Sequence, residues 1–321
     1  MKLVTFEFQG KTAIGVLNAE TGSIVNLTAA EPNNPAFRSM LDLIESGAAG
    51  SVRARQLDIE TPVIARIALA DVRLLAPIPV PPQIRDCSVF EGHIKRAPAG
   101  MAKIAMRRTG DLEGLAKVKP LDDIPQVYKD RPIYYFTNRF SVAGPNDVVV
   151  WPAYSSIMDF ELECAIVIGR KGRDLSSEDA LSHVFGYMIY NDFSARDMQN
   201  LEMAGMLGPT KGKSFDGGNV MGPWLVTADE VADPQALEMS VAVNGTTWAT
   251  GSTKEMVHGF ADILAYITQH ETIYPGEVIG SGTMGYGCGL EVDRFLNDGD
   301  EVTLKVAGLG ELTNRVVIAK S

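Results

Sequence analysis

Short runs of alternating apolar and polar residues dominate the first part of the chain. Two such runs, residues 3–8 and 12–17, are separated by the turn-forming segment Gln9-Gly10-Lys11. Alternation with a period of two predicts half-buried β-strands, and a glycine-containing turn predicts that the strands are joined directly. Residues 1–75 are therefore predicted to form a small β-rich unit, with a short amphipathic helix near residues 37–46.

A proline-rich segment follows this unit. Residues 76–82 read A-P-I-P-V-P-P. Each proline ring fixes its own φ and biases the preceding residue to extended geometry, so the segment is expected to be a stiff connector. We place a domain boundary there, with a second domain at residues 83–321.

Strands also dominate the pattern in the second domain. A short helix is predicted near residues 90–95, followed by a loop-rich stretch to Pro132 and then by many short strands with Gly/Pro turns. Helices are further predicted at 176–183, where Ser-Ser-Glu-Asp suits a helix N-terminus, and at 255–269. The expected fold class is therefore α+β and strand-dominated, not a doubly wound parallel sheet.

Composition narrows the class of protein. The chain has 321 residues, 45% hydrophobic and 21% charged, which excludes a disordered protein, and it lacks an apolar run of the roughly 20 residues that a bilayer requires. The net charge of −11 disfavours nucleic acid and anionic membranes as partners. Three cysteines without a C-x-x-C pair, and a start without a signal-peptide pattern, predict a cytoplasmic protein.

Three carboxylates carry the first chemical signal. Glu161 and Glu163 are separated by one residue in a predicted strand at 160–169, and Asp192 follows in the segment Y-N-D-F-S-A-R-D. Residues two apart on a strand share a face, so the two glutamates would repel each other unless a cation lay between them. An all-oxygen set favours a hard ion such as Mg²⁺, Mn²⁺ or Ca²⁺. The alternative is an edge strand with two solvated glutamates.

Sequence motifs for nucleotide binding and for serine hydrolases or zincins are absent, incomplete or followed by the wrong kind of segment. Residues 280–285 match G-x-G-x-x-G, but the glycine-rich continuation does not suit the helix that a dinucleotide site requires. The segment 208–214 is one residue short of a phosphate loop. Neither G-x-S-x-G nor H-E-x-x-H occurs, so serine-hydrolase and zincin chemistry lack their local signatures.

One histidine is a candidate proton carrier. His93 lies seven residues after Asp86 and next to charged neighbours, whereas the other three histidines have the pattern of surface or packing residues. Its ordinary pKa range suits general base catalysis, but an ordinary half-buried histidine fits the same pattern.

Several of these segments together resemble the fumarylacetoacetate hydrolase family. The similarity spans roughly residues 83–306, and its motifs follow the family's order: I-R-D through His93, F-E-L-E at 160–163, G-Y and N-D-F-S-A-R-D-M-Q at 186–199, G-K-S-F-D at 212–216 with G-P-W at 222–224, and S-G-T at 281–283. A small N-terminal β domain before the catalytic domain resembles the longer members. The resemblance implies a mixed β-sandwich-roll catalytic domain at 83–321 and a homodimer.

The resemblance also implies roles for matching residues. Four carboxylates take the positions that bind a divalent metal, Mg²⁺ or Mn²⁺ before Ca²⁺: Asp86, Glu161, Glu163 and Asp192. His93 matches the histidine that activates water, and Glu291 matches the glutamate that orients it. Lys213 and Gln199 match side chains near the developing oxyanion of the substrate.

Further positions match the substrate pocket. Arg196 and Thr283 correspond to pocket residues of the family. Met203 stands where the fumarylacetoacetate-cleaving enzyme has a substrate-contacting tyrosine, four residues after the glutamine, and this departure argues against fumarylacetoacetate as the substrate.

The loop-rich stretch 97–130 has no clear counterpart in that enzyme. It contains Arg107 and Arg108 among several prolines and glycines. We expect a mobile lid whose arginines attract substrate carboxylates, or else a solvated loop face.

The function implied is metal-dependent hydrolysis of a carbon–carbon bond in a β-diketone or acylpyruvate-like oxo acid, in catabolism of aromatic compounds or sugar acids. One alternative is an oxaloacetate-type decarboxylase or a 2-oxo acid isomerase or tautomerase acting at the same site, because those reactions also stabilise an enolate. A second alternative is a metal-binding module without catalysis.

Overall fold

The computed structural model describes residues 1–319, and strands form most of its regular structure. In chain order the strands are β1 (Lys2–Phe8), β2 (Lys11–Asn18), β3 (Ser23–Asn26), β4 (Ile67–Ala68), β5 (Arg73–Leu75), β6 (Ile84–Ser88), β7 (Ile133–Phe136), β8 (Val142–Ala143), β9 (Val148–Trp151), β10 (Met158–Asp159), β11 (Leu162–Ile168), β12 (Gly172–Arg173), β13 (Val184–Asp192), β14 (Ser194–Ala195), β15 (Asn219–Thr227), β16 (Glu238–Val243), β17 (Thr246–Ser252), β18 (Thr272–Ile273), β19 (Val278–Gly280), β20 (Glu301–Val306) and β21 (Gly310–Ile318).

The α-helices are fewer and mostly short. They are α1 (Leu27–Ala30), α2 (Met40–Glu45), α3 (Gly47–Glu60), α4 (Glu91–Thr109), α5 (Leu112–Leu115), α6 (Gln126–Asp130), α7 (Ser177–Ala180), α8 (Arg196–Glu202), α9 (Phe260–Ile267) and α10 (Gly289–Val292). The predicted strand-dominated α+β class is confirmed. Among the described residues, no helix combines the length and the hydropathy that a membrane crossing requires.

Two large sheets organise the chain. The larger has twelve strands, with the central order β4-β3-β2-β1-β15-β13-β11-β19-β6-β7, while β5 pairs with β1 and β8 with β15. The smaller has the order β17-β16-β20-β21-β9. Most neighbours are antiparallel, but β6 runs parallel to β19.

Strand β11 lies between two hydrophobic cores. Its side chains alternate: Cys164, Ile166 and Ile168 join the core shared with the five-stranded sheet, whereas Ala165 and Val167 join the core on the opposite face. Every residue of β11 is buried, as expected for a strand covered on both faces. This burial explains why the strand is an almost continuous apolar run, and it holds the carboxylates at its beginning away from water.

The sheet continues across the predicted domain boundary. Strand β1 pairs with β15 in antiparallel fashion, with Lys2 opposite Val226, so residues 1–75 supply strands to the same sheet as the second domain. Helices α2 and α3 pack their apolar residues into the core that includes Ala165. The division at 76–82 stays a prediction, with backbone hydrogen bonds joining the two sides.

The predicted end of the helix at residue 95 is wrong. Helix α4 continues to Thr109 and ends at Gly110, whose φ of 75° allows the left-handed cap. Pro98 lies inside the helix, where it removes one backbone donor without breaking the element. Ile94 and Ile104 are buried, and packing of this face outweighs the local preference of the proline.

Three other predicted helices contain shorter helices in the structure. Helix α2 lies within 37–46, α7 within 176–183 and α9 within 255–269. Ser176 caps α7 as expected, because its side chain accepts a hydrogen bond from the Asp179 amide. The fourteen-residue helix α3 was not predicted, since its sequence has no apolar stripe of helical period.

Candidate active site

Four carboxylates meet at the ends of neighbouring strands. Asp86 lies on β6, Glu163 on β11 and Asp192 at the end of β13, while Glu161 directly precedes β11. One potential ligand atom from each lies within 4.8 Å of the others, and all four residues are buried. The predicted set is therefore brought together in space, and the alternative of two solvated glutamates does not fit the burial.

Two oxygens of this cluster lack any protein partner among the described residues. Glu163 Oε1 and Asp192 Oδ1 are buried and accept no hydrogen bond. A buried carboxylate oxygen without a donor is costly. The orphaned oxygens, together with an oxygen-only donor set, fit a hard divalent cation.

Burial and mutual repulsion shift the titration of the cluster. Burial, with the Asp192 charge, raises the pKa of Asp86 to about 8. Burial and the neighbouring Asp86 raise the pKa of Glu163 well above its usual range. Burial also opposes ionisation of Glu161, but Lys213 and Arg196 lower its pKa to about 2. Without a cation, the cluster therefore retains protons that a metal ion would displace.

Two buried cations face the carboxylates. Lys213 Nζ lies 2.7 Å from Glu161 Oε2 and also donates to Asp192 Oδ2. Arg196 Nη1 lies 2.7 Å from Glu161 Oε1. The four carboxylates outnumber these two cations, so additional positive charge would be favourable in the cluster.

Asp159 is a residue that the sequence reasoning missed. Its carboxylate is fully buried and accepts from Arg196 Nε at 2.8 Å and from the amides of Gly289 and Leu290 at 2.7 and 2.8 Å. Asp159 thereby connects Arg196 to the first turn of α10. The signal was present in the sequence, because Asp159 continues the two-residue spacing of Glu161 and Glu163.

The predicted histidine–glutamate pair is formed beside this cluster. His93, on α4, places Nδ1 2.9 Å from Oε1 of Glu291, on α10. The other carboxylate oxygen of Glu291 accepts from the Tyr286 amide at 2.8 Å. The His93 side chain is 15% exposed and that of Glu291 is fully buried, so the ring can reach a solvent cavity while its partner stays fixed.

The loop after β19 supplies close backbone contacts. A Cβ on Gly280 would lie 2.5 Å from Asp86 Oδ1 and 2.7 Å from Glu163 Oε2, so only glycine fits there. The Gly282 amide donates to Glu163 Oε2 at 3.0 Å. Thr283 Oγ1 is buried without a hydrogen-bond partner among the described residues, and it is available to a ligand.

A cavity of about 500 Å³ connects these groups. It is lined by the carboxylates of Asp86 and Glu161, by several polar side chains, and by apolar side chains from α4 and the segments 125–135 and 203–209. The predicted substrate residues Met203 and Thr283 line it, as do the predicted catalytic residues His93, Lys213 and Gln199. Arg196 lies behind this wall and donates from Nη1 to Gln199 Oε1 at 2.9 Å.

Tyr135 was also missed by sequence reasoning. It lies on β7 opposite Asp86, lines the cavity and donates its hydroxyl to Asp192 Oδ2. Only the pairing of β6 with β7 brings it to the site, and no local motif marks it.

The two predicted lid arginines lie elsewhere. Arg107 Nη1 donates to Asp293 Oδ1 at 2.6 Å, and Arg108 is exposed at the end of α4. Neither borders the cavity. A substrate role for these arginines is therefore not supported, and the pairing of Arg107 with Asp293 fits a surface contact between α4 and α10.

The protein therefore has an α+β fold, and its site combines a buried carboxylate cluster with a neighbouring histidine–glutamate pair. Residues 106–317 match the model of the fumarylacetoacetate (FAA) hydrolase C-terminal domain. The chain belongs to the fumarylacetoacetate hydrolase family, and the resemblance inferred from its motifs is confirmed.

Individual relatives differ in their reactions. The chain is 33% identical over 307 residues to the mitochondrial oxaloacetate tautomerase FAHD2A of Homo sapiens, covering 95% of this chain and 87% of the relative. Among solved structures, it resembles a fumarylacetoacetate hydrolase from Exiguobacterium antarcticum, with a TM-score of 0.74, 31% identity and coverage of 99% and 100% of the two chains. It also resembles a maleylpyruvate hydrolase from Sphingobium sp. SYK-6 in complex with manganese(II) and pyruvate, with a TM-score of 0.74, 25% identity and full coverage of both chains.

Proposed function

We propose that this protein is a metal-dependent hydrolase that cleaves a carbon–carbon bond in an acylpyruvate-like 2-oxo acid. The observation that carries the proposal is the His93–Glu291 pair, held at 2.9 Å on the border of the cavity that also reaches the carboxylate cluster. A base and a metal-binding cluster on one cavity are what water attack on a 1,3-dicarbonyl compound requires.

The carboxylate cluster fits the metal of the proposed reaction. Asp86, Glu161, Glu163 and Asp192 would hold it, and their oxygen-only donors favour Mg²⁺ or Mn²⁺, with Ca²⁺ also compatible. When bound, the cation supplies Lewis acidity toward the oxygens of a 2-oxo acid. The solved maleylpyruvate hydrolase with manganese(II) and pyruvate supports this assignment.

His93 is the proposed general base. With its proton on Nδ1, the ring donates to Glu291, and Nε2 is left free to accept a proton from water in the cavity. Glu291 fixes this tautomer and stabilises the imidazolium that forms. The resulting hydroxide adds to the acyl carbonyl carbon, and the bond to the pyruvate carbon breaks with its electron pair left on the pyruvate fragment. This enolate takes up the proton held by the His93 imidazolium, so the products are a carboxylic acid and pyruvate and the base is restored.

Three further side chains fit substrate roles. Gln199 uses its carbonyl oxygen to accept from Arg196, which leaves its amide N–H groups for the cavity. Thr283 offers a buried hydroxyl without a partner in the described chain. Lys213 keeps a positive charge at the boundary between the cluster and the cavity. Each donor to a developing oxyanion typically contributes about 3 to 4 kcal/mol to the transition state.

The remainder of the cavity favours an uncharged acyl group. Its apolar wall includes Ile94, Ala97, Met101, Ile133, Met203 and Pro209. Of the lining residues in the described chain, only His93 and Lys213 can carry a positive charge. A substrate with one carboxylate near the cluster and an apolar tail fits this wall better than a dicarboxylate does.

Oxaloacetate tautomerisation is the second candidate. The 33% identity to the human mitochondrial tautomerase, over 95% of this chain, favours it. The reaction needs proton transfer between carbon and oxygen but no attacking water, so His93 would carry a proton without activating water.

One substrate panel separates the two reactions. Purified protein with Mn²⁺ would be incubated with acylpyruvates and with enol-oxaloacetate, and products would be identified by mass spectrometry and by the enol absorbance. Release of pyruvate and a carboxylic acid is expected. Accelerated conversion of enol to keto oxaloacetate, without cleavage of any acylpyruvate, would replace the hydrolase proposal with the tautomerase.

A further inference from the structure

A thiol lies next to the proposed catalytic pair. Cys288 Sγ is 3.8 Å from His93 Nδ1 and 3.5 Å from Glu291 Oε1, and the nitrogen and oxygen are themselves 2.9 Å apart. Imidazole nitrogen, thiol sulfur and carboxylate oxygen therefore form a closed triangle. The carboxylate cluster contains no nitrogen or sulfur, so these two groups of side chains differ in chemical character.

The size of this triangle matches a zinc coordination sphere. When Zn–N, Zn–O and Zn–S bonds are about 2.0 to 2.3 Å long, neighbouring ligand atoms of a tetrahedral site are about 3.3 to 3.8 Å apart. Two of the three separations lie in that range. The third is shorter and needs only a small movement of the His93 ring, which is the most exposed member.

The site is held firmly but can be entered. Cys288 directly precedes α10, whose first two amides donate to Asp159, and Glu291 is held by the Tyr286 amide. Two ligands are thus fixed by backbone contacts. The third, His93, borders the cavity and is the most exposed of the three, so an ion can enter from the cavity past its ring.

We propose that His93, Cys288 and Glu291 form a second metal site, selective for soft divalent ions of the zinc class, whose occupation inhibits the enzyme. Binding displaces the proton of the Cys288 thiol to solvent. The His93 proton moves from Nδ1 to Nε2 as Nδ1 becomes a ligand, so one proton is released for each ion bound. The protonated Nε2 then cannot accept a proton from water. The inhibition rests on the proposed function, whereas the binding does not.

Cobalt provides a readout that does not depend on turnover. Co²⁺ would be added to protein saturated with Mg²⁺, so that the oxygen-only cluster is filled. A thiolate ligand gives Co²⁺ an intense near-ultraviolet charge-transfer absorption that oxygen ligands do not give. The absorption is expected with the unaltered protein and with Cys164→Ser, which alters a buried cysteine that belongs to neither group of potential metal ligands among the described residues. It is expected to be absent with Cys288→Ser.

The outcomes decide between the two parts of the proposal. Absence of the cobalt–thiolate absorption in the unaltered protein, or its persistence in Cys288→Ser, would overturn the site even if the hydrolase proposal holds. Should Cys288→Ser fail to fold, Glu291→Gln takes its place, and it should weaken Co²⁺ binding by at least about tenfold through loss of a charged ligand. If pyruvate is released from acylpyruvates, Zn²⁺ should inhibit the unaltered enzyme and spare Cys288→Ser. Equal inhibition of both would overturn the regulatory part.

Discussion

His93 and Glu291 meet at 2.9 Å although 198 residues separate them in the chain. The contact depends on the packing of α4 against α10, in which Ile104 shares a hydrophobic cluster with Leu290. Gly100 allows this close approach, because a Cβ there would lie 2.4 Å from the Leu290 carbonyl oxygen. The position of the proposed base is therefore set by helix packing and not by the local sequence around it.

Loss of His93 should separate hydrolysis from metal binding. We expect His93→Ala to reduce the rate of carbon–carbon cleavage by about 10² to 10⁴, the usual contribution of a positioned general base. Mg²⁺ affinity should stay nearly unchanged, because His93 lies outside the oxygen-only cluster. Steady-state kinetics and metal titration would measure the two quantities. Cleavage at the unaltered rate would remove His93 from the mechanism.

The second prediction concerns a carboxylate of the cluster. Glu163→Gln replaces a carboxylate, one oxygen of which has no protein partner among the described residues, by an amide that cannot ionise when a cation binds. Mg²⁺ affinity should therefore fall by at least about tenfold, and excess Mg²⁺ should not fully restore activity. Calorimetric titration would measure the affinity. Glu178→Gln, at an exposed position of helix α7, is the matched control and should behave as the unaltered protein. Unchanged metal dependence in Glu163→Gln would contradict the assignment.

Protons bound by the cluster should make stability depend on pH. The pKa of Asp86 is about 8 in the folded metal-free protein, against an ordinary 3.8. Between these values the folded state binds more protons than the unfolded chain, so the free energy of unfolding falls as pH rises from about 4 to about 8. The stability that the neutral carboxyl contributes is fully present below pH 3.8, the ordinary pKa. It is lost as the pH rises through about 8, the pKa in the folded protein.

Thermal unfolding with chelator and with Mg²⁺ would test this linkage. Because Mg²⁺ needs ionised carboxylates, the rise in Tm that it causes should be larger at about pH 8 than at about pH 6. In chelator, Asp86→Asn should reduce the fall of Tm with pH. An equal effect of Mg²⁺ at both pH values would show that the cluster is already ionised without metal.

The carboxylates of the site could be predicted from the sequence, but some of the residues around them could not. The spacing of Glu161 and Glu163 is a local pattern that predicted two residues of the observed carboxylate cluster, whereas Asp86 and His93 were assigned through the resemblance of their segment to the family motif. Tyr135 had no such pattern, since it reaches Asp192 only because β7 pairs with β6. Contacts made by sheet pairing between distant segments leave no trace in the spacing of residues.

The helix predicted to end at residue 95 was too short for a different physical reason, since α4 continues to Thr109. The low helix propensity of Pro98 and Gly100 favoured a loop in the prediction, yet both residues lie in a helix whose buried face contacts α10. Tertiary packing overrode the weak local preference. The extended helix carries Arg107 to Asp293, so the predicted substrate contact is replaced by a surface ion pair.

Hydrogen exchange should divide the stretch 91–130 into two parts. Residues 94–106 should be protected in the free protein, because α4 is hydrogen-bonded and packs against α10. Residues 110–123 are largely exposed and should exchange faster. If this segment closes over a ligand, Mg²⁺ with oxalate should increase its protection. High protection there in the free protein, unchanged by oxalate, would mean that it is a static insertion.

The last prediction concerns the acyl chain of the substrate and follows from the apolar wall of the cavity. If the wall accepts an aliphatic tail, each buried methylene should contribute about 0.8 kcal/mol, or roughly a fourfold rise in kcat/KM, until the cavity is filled. A series of acylpyruvates from acetyl to hexanoyl would measure this slope. Met203→Lys should flatten the slope, because it places a charge in the apolar wall. Leu201→Lys is the matched control, since Leu201 is 48% exposed, against 49% for Met203, but does not line the cavity.

Two outcomes would contradict this prediction. A slope that Met203→Lys leaves unchanged would show that the acyl chain binds elsewhere. Preference for a dicarboxylic substrate in the unaltered protein would favour the oxaloacetate reaction.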